Sequence, residues 1–120
     1  MSSPRTLKAW QHAKRLAVQC SIAARRFPAD ERPALSSQLR RAAYGAVLNT
    51  AEGAAKRGTR EYRRYLDTAR ASLHEVETIL CLATELGYID TARAAELEAI
   101  RTEAAKTLYG LLRAVSARAG

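Results

Sequence analysis

Hydrophobic residues recur along the chain at alternating steps of three and four, the spacing that places them on one face of an α-helix. The first stripe covers residues 6–26 and ends at Phe27-Pro28, because the residue before a proline is disfavoured in the helical conformation. The second begins near Pro33, a residue suited to a first helical turn, and ends near Ala55. Small residues dominate this second stripe, so a neighbouring helix is expected to approach it closely.

Two longer stripes follow. The third is predicted to begin at Thr59 as its N-cap, and Gly87 suits the left-handed residue that ends a helix. Asp90 is predicted to cap the fourth helix, whose stripe extends to Val115. A second row of residues widens the third stripe and indicates contact with more than one neighbour. This row comprises Ser72, Glu75, Ile79, Leu82 and Leu86.

Four long helices with short connections predict an all-α, antiparallel up-down four-helix bundle that forms one domain over residues 1–120. Composition supports this expectation, since 25 residues are Ala and no proline follows Pro33. No apolar run is long enough to span a membrane. Two isolated cysteines, Cys20 and Cys81, give neither a disulfide framework nor a zinc spacing, which favours the reducing cytoplasm.

The sequence contains no recognisable catalytic or metal-binding motif. His74-Glu75 lacks the second histidine that a zinc protease helix carries, and no Glu-x-x-His pair of a di-iron bundle is present. Asp67, Ser72 and His74 lie on one predicted helix and cannot converge as a triad. We therefore expect a protein that is not an enzyme and holds no metal or cofactor.

Charge is the feature that suggests a partner. The chain carries a net charge of +8, and the whole excess lies in residues 1–70. Residues 56–64, called the basic turn below, contain five Lys or Arg and one Glu. Such asymmetry favours a polyanion such as RNA or DNA, with solubility alone or an acidic protein partner as the alternatives. The candidate contacts are Lys14, Arg15, Arg40, Arg41, Lys56, Arg57, Arg60, Arg63 and Arg64.

Several polar and aromatic residues beside these cations have two interpretations. Tyr62 and Tyr65 could stack on unpaired bases or pack at the end of the bundle. Asn49, Glu52 and Glu61 are expected to form a structural polar network, because a buried Asn or Glu needs a partner. Glu52 in particular is expected in a buried pair whose loss costs about 3–5 kcal/mol. The candidate basic partners are Arg40, Arg41, Arg57 and Arg70.

Ordered motifs over roughly residues 7–90 resemble the proteins encoded in intervening sequences of bacterial 23S rRNA genes. The matching segments are Trp10-Gln11, Phe27-Pro28, Gln38 to Ala43, Asn49 to Gly53, Glu61 to Leu66 and Ser72 to Glu77. The chain departs from the family pattern at Gly45-Ala46, Thr50, Tyr62, Tyr65 and Ala71. These differences affect packing details more than the fold.

The resemblance implies a four-helix protomer that assembles as a ring-like homopentamer. A related branch accompanies the reverse transcriptases of diversity-generating retroelements, in which the basic ring binds nucleic acid and the polymerase. The resemblance does not supply a biochemical function for the intervening-sequence branch itself. A basic RNA-binding module is therefore the first expectation, and a scaffold that docks an acidic protein is the second.

Overall fold

The computed structural model describes residues 7–119, and the side chains of all of these except 31–33 and 119. Four α-helices account for most of this range: α1 (Lys8–Ala24), α2 (Ser37–Ala54), α3 (Thr59–Glu85) and α4 (Thr91–Ala119). A 3-10 turn (Ala29–Glu31) and a π turn (Arg32–Ser36) connect the first two helices. Since residues 7–119 contain no strand, the predicted all-α class is confirmed.

The helices pack around one apolar core. Each helix lies against the next one along the chain, and α4 also packs against α1, which closes the bundle. The four predicted stripes supply the core, as the period of 3.6 residues requires. Its largest fully buried side chains are those of Leu16, Leu39, Leu66, Val76, Leu97 and Val115. None of the described helices combines the length and apolar character that a membrane span needs.

The connection between α3 and α4 forms as the sequence predicts. Gly87 has a φ of 76°. The amide of Tyr88 donates to the carbonyl of Ala83 at 2.9 Å, and the Gly87 amide donates to Thr84 at 3.1 Å. These two bonds form a Schellman motif and satisfy carbonyls at the helix end. Asp90 then caps α4, because its Oδ1 accepts a 2.7 Å hydrogen bond from the amide of Arg93.

Two helix starts differ from the prediction. The N-cap of α3 is Gly58 in an extended conformation, and Thr59 is the first helical residue. The α-helical part of α2 begins at Ser37, after the π turn, and not at Pro33. Ser36 does not cap it, because the Ser36 hydroxyl donates to the carbonyl of Ala24 at the end of α1. The predicted start of α1 at residue 6 lies outside the described residues.

The second row on α3 is partly exposed within one protomer. Ser72 and Ile79 are buried, but Leu82 and Leu86 remain 45% and 53% exposed. Glu75 is also exposed. The row therefore leaves an apolar surface near the end of α3 that the bundle core does not cover.

Two glycines let α2 and α3 approach closely, as the small-residue stripe predicts. A Cβ placed on Gly53 would lie 3.0 Å from the Cβ of Tyr65 and 3.1 Å from the carbonyl oxygen of Tyr62. A Cβ on Gly45 would lie 2.8 Å from the hydroxyl of Ser72. The obstacles at Gly53 are a backbone atom and a Cβ, which no side-chain rotation can move away.

We expect Gly53→Ala to destabilise the protein. Alanine has a higher helix propensity than glycine, by about 1 kcal/mol, but here its methyl group would force α2 and α3 apart. Gly110→Ala is the control, because Gly110 lies inside α4 with open space around its Cα. Thermal unfolding should show a lower Tm for Gly53→Ala and an unchanged or higher Tm for Gly110→Ala. Equal Tm values for the two variants would contradict the close contact.

Candidate nucleic-acid interface

The basic turn joins α2 to α3 through a short, well-bonded connection. The amide of Lys56 donates to the carbonyl of Gly53 at 3.0 Å, which ends α2. Gly58 is extended, and its carbonyl accepts the first helical hydrogen bond of α3, from Tyr62 at 3.0 Å. Five cationic side chains are thus gathered on the connection and the first two turns of α3.

Tyr65 holds two of these five cations. The Nζ atom of Lys56 lies 5.1 Å from the centroid of the Tyr65 ring, and the guanidinium carbon of Arg64 lies 4.7 Å from it. Both distances are within the range of a cation–π interaction. The Tyr65 ring is therefore occupied by the protein's own side chains and is not free to stack on a base.

The same two cations are also paired with carboxylates. Lys56 lies 3.3 Å from Glu52, and Arg64 donates two hydrogen bonds to Glu61, at 3.1 and 3.0 Å. The Arg64 hydrogen bonds hold the pKa of the Glu61 carboxyl below its ordinary value, and the charges of Lys56 and Arg60 act in the same direction. Lys56 and Arg64 are consequently neutralised in part by the protein itself.

The other three cations of the basic turn are differently placed. Arg57, Arg60 and Arg63 are exposed, and none of them forms an ion pair with any carboxylate that the structure describes. Their guanidinium groups are available to an external anion. The start of α3 adds to the positive potential, because the first amides of a helix lack intrahelical acceptors and its dipole is positive there.

The remaining predicted contacts do not join the basic turn in one compact patch. Arg40 and Arg41 lie in the first turns of α2, whereas Lys56 follows its last residue. At 1.5 Å per residue the two groups are about 20 Å apart along the helix. Arg41 instead borders a polar groove of about 470 Å³ between α2 and α3. Its other lining residues are Gln38, Ala42, Ser72 and Glu75.

Lys14 and Arg15 are exposed on α1. The Nζ atom of Lys14 lies over the ring of Trp10, 5.5 Å from its centroid. This pairing of a cation with an aromatic ring follows the i, i+4 spacing on one helix face. The signal for this pair is present in the sequence, as the spacing of Trp10 and Lys14.

The expected polar network of Asn49, Glu52 and Glu61 does not form as one unit within the protomer. The Nδ2 of Asn49 donates to the carbonyl of Gly45 at 2.8 Å, one turn back on its own helix. Glu52 is 55% exposed, so the expectation that it belongs to a buried pair is wrong. Its partner is Lys56, four residues later, and none of the four arginines proposed from the sequence.

Arg118 is a further basic residue near this site that was not among the contacts predicted from the sequence. It lies close enough to Tyr62 to oppose the rise in the pKa of the Tyr62 hydroxyl that burial causes. The last turn of α4 is therefore near the first turn of α3. Only the folded bundle brings Arg118 to the basic turn, since it is 56 positions from Tyr62 in the sequence.

Metal-binding geometry is absent from the part of the chain that the structure describes. No three His, Cys, Asp or Glu side chains in that part are grouped closely enough to hold a metal ion. His74 is exposed and lies 3.9 Å from Glu77, one turn further along α3. Cys20 is buried, which raises the pKa of its thiol to about 12, while Cys81 is exposed.

The sequence model of the 23S rRNA-intervening sequence protein family matches residues 5–110. This match covers most of the chain, and the protein therefore belongs to that family. The four described helices agree with the fold that the sequence motifs imply. Comparison with curated proteins gives no significant match.

The exposure of Glu52 leads to a direct test. We expect Glu52→Ala to change the free energy of unfolding by no more than about 0.5 kcal/mol, because an exposed i, i+4 pair contributes little. Arg101→Ala is the comparison, since Arg101 is buried and donates hydrogen bonds to Glu98 and Glu77. Its loss should cost about 1.5 kcal/mol or more. Urea denaturation of both variants measures the difference, and a larger cost for Glu52→Ala would restore the buried-pair interpretation.

Proposed function

We propose that this member of the 23S rRNA-intervening sequence protein family is a non-enzymatic, cytoplasmic protein that binds nucleic acid, RNA in particular, through the basic turn. The observation that carries the proposal is the separation of its cations into two sets. Lys56 and Arg64 are paired with carboxylates, whereas Arg57, Arg60 and Arg63 are exposed and unpaired among the described residues. Three free arginines at a helix N-terminus suit the phosphates of a polyanion.

The paired set has a supporting role in this proposal. Tyr65 and the two carboxylates hold Lys56 and Arg64 in place, whereas the three free arginines are exposed and have no such partner among the described residues. Contacts made by arginine to phosphate position a nucleic acid without reading its sequence. We therefore expect binding with weak sequence preference and steep salt dependence.

The helix directions extend the site beyond the basic turn. The hydroxyl of Ser21 on α1 hydrogen-bonds to the hydroxyl of Tyr44 on α2. Three residues later on α1, the carbonyl of Ala24 accepts a hydrogen bond from Ser36, which comes before Tyr44 in the chain. These contacts support α1 and α2 running in opposite directions, as an up-down bundle requires. On this arrangement the start of α1, with Lys14, lies toward the same end of the bundle as the basic turn.

The proposal also includes assembly as a ring-like homopentamer. Leu82 and Leu86 support it, because their exposed side chains lie four residues apart on α3 and form an apolar surface that a second copy could cover. A ring would repeat the basic turn in each protomer and raise the local density of positive charge. Repeated weak phosphate contacts then add as avidity along one nucleic acid chain.

An acidic protein is the second candidate partner. The same three free arginines could pair with carboxylates, and the exposed Val18, Ile22, Tyr44 and Leu48 on α1 and α2 would give such a partner an apolar surface. The dependence of binding on ionic strength distinguishes a nucleic acid from an acidic protein as the partner. Polyanion binding falls steeply with ionic strength, whereas a largely apolar protein contact does not.

Removing the three free arginines tests the proposed function. We expect Arg57→Ala, Arg60→Ala and Arg63→Ala together to weaken binding of all RNA sequences alike, since phosphates contribute the affinity. Each lost phosphate contact should reduce the slope of log K against log salt by about 0.7 for single strands and 0.9 for duplex. Fluorescence anisotropy of labelled RNA at several salt concentrations measures both quantities.

A charge-matched control uses arginines outside the basic turn, two at the end of α1 and one about 9 Å further along α3 than Arg64. Arg25, Arg26 and Arg70 are exposed, so replacing them by Ala removes the same three charges. This control should keep most of the affinity and most of the salt slope. If both triple variants bind alike, or if the parent binds no RNA at micromolar protein near 0.15 M salt, the basic turn is not a nucleic-acid site.

Assembly is tested separately. Sedimentation should give a mass of about five times 13.2 kDa for the parent. Leu82→Arg with Leu86→Arg should reduce that mass while the helical circular dichroism spectrum persists, because both side chains are exposed within the protomer. A parent that sediments as a monomer at micromolar concentration would refute the proposed ring.

A further inference from the structure

We infer that Trp10, Lys14 and Arg15 on α1 form a second nucleic-acid contact, which stacks an unpaired base on the Trp10 ring. The inference rests on the proposed function and makes it more specific. If the bundle binds nucleic acid, its preferred ligand is single-stranded, because only an unpaired base can offer its face to a side chain.

The geometry at the start of α1 fits a flat ring. Trp10 is half-buried, so its indole is held in place by the helix and still reaches solvent. It borders a surface cleft of about 290 Å³. That volume is near the lower end for small-molecule sites, which suits one base but not a folded partner. The cleft is lined by Trp10, Gln11, Lys14, Arg15, Val18 and Gln19.

The charge around the cleft favours a polyanion. Two of its lining residues, Lys14 and Arg15, are exposed cations, and none is acidic. The entire α1 helix lacks Asp and Glu, and the first acidic residue of the chain is Asp30. A base stacked on Trp10 would therefore have its flanking phosphates beside positive charge with no carboxylate from α1 to repel them.

Trp10 differs from Tyr65 in how its cation is held. Tyr65 carries Lys56 and Arg64, which Glu52 and Glu61 hold in place. Trp10 carries only Lys14, which within the described residues forms no ion pair. The Lys14 ammonium can therefore leave the ring for a phosphate without breaking a salt bridge.

Tyr62 is also less suited to stacking on a base. It is half-buried, and its Cδ1 atom would lie 3.1 Å from a Cβ placed on Gly53. The ring is thus pressed against α2, whereas Trp10 opens onto a cleft. Of the three candidate aromatic contacts, Trp10 is therefore the one best placed to stack on a base.

The cleft and the basic turn lie at one end of the bundle. Ser21 and Tyr44 are level with each other, since their hydroxyls are 3.1 Å apart. Trp10 precedes Ser21 by 11 residues, and residue 55 follows Tyr44 by 11. At 1.5 Å per residue, Trp10 and residue 55 each lie about 16 Å from the contact between Ser21 and Tyr44. Because α1 and α2 run in opposite directions in an up-down bundle, the two residues lie on the same side of that contact. One strand could therefore reach Trp10 and the free arginines together.

Intrinsic fluorescence tests the inference directly, because Trp10 is the only tryptophan in the chain. The probes are a single-stranded oligouridylate of about 20 nucleotides and a perfectly paired RNA duplex of the same length. We expect the single strand to quench Trp10 and the duplex to leave it nearly unchanged. This measurement uses the unmodified protein and does not depend on a variant that folds.

Variants supply the second arm. Trp10→Ala should weaken single-strand binding by roughly fivefold or more, the usual loss when one stacked aromatic is removed, and should leave duplex binding unchanged. Trp10→Phe should restore part of that loss, because phenylalanine also stacks. Tyr109→Ala is the control, since Tyr109 is an exposed aromatic on α4 that also carries an arginine, Arg113. It should bind like the parent.

The outcomes separate this inference from the proposed function. If labelled RNA binds but Trp10 is not quenched and Trp10→Ala binds equally well, the stacking contact is refuted and the basic turn remains. If Trp10 emission changes on dilution of the protein and not on addition of RNA, a second copy covers the cleft and the inference is overturned. If no RNA binds at micromolar protein, the proposed function fails and this inference fails with it.

Discussion

The close approach of α2 and α3 is the constraint on which the basic end of the molecule depends. It exists because Gly45 and Gly53 have no side chains, and at Gly53 the neighbouring helix presents a backbone oxygen and a Cβ at about 3 Å from where a methyl would stand. That proximity brings Tyr65 of α3 beside the end of α2. Lys56, which follows α2, can then reach the Tyr65 ring.

The same contact explains why the five cations of the basic turn are not equivalent. Lys56 and Arg64 both lie against the Tyr65 ring, and each is also paired with a carboxylate, Lys56 with Glu52 and Arg64 with Glu61. Cation–π contacts and exposed ion pairs are each weak, but together they fix the side chains in place. Local pairing therefore removes two cations from competition for an external anion and leaves three.

The sequence predicts the helices well, because burial of an apolar stripe and the chemistry of helix ends are local signals. Gly87 and Asp90 act as predicted for that reason. Glu52 shows where such reasoning fails. Glu52 comes three positions after Asn49, so their side chains point in directions about 60° apart around the helix axis. That difference is enough to place Asn49 at the edge of the apolar stripe and Glu52 in solvent. Arg118 was missed because only tertiary packing brings α4 to the basic turn.

Four acidic residues of the second half pair with partners in their own half of the chain, and none of the described ion pairs joins them to the cations of the first half. Glu96, Glu98 and Glu103 each pair with a cation three residues away on α4. Glu77 reaches Arg101, which is on α4 as well. Within the described residues, ion pairs that involve residues 7–70 are limited to those of Glu52 and Glu61. The excess positive charge therefore lies on α1 and the basic turn, where Lys14, Arg15 and the three free arginines pair with no described carboxylate.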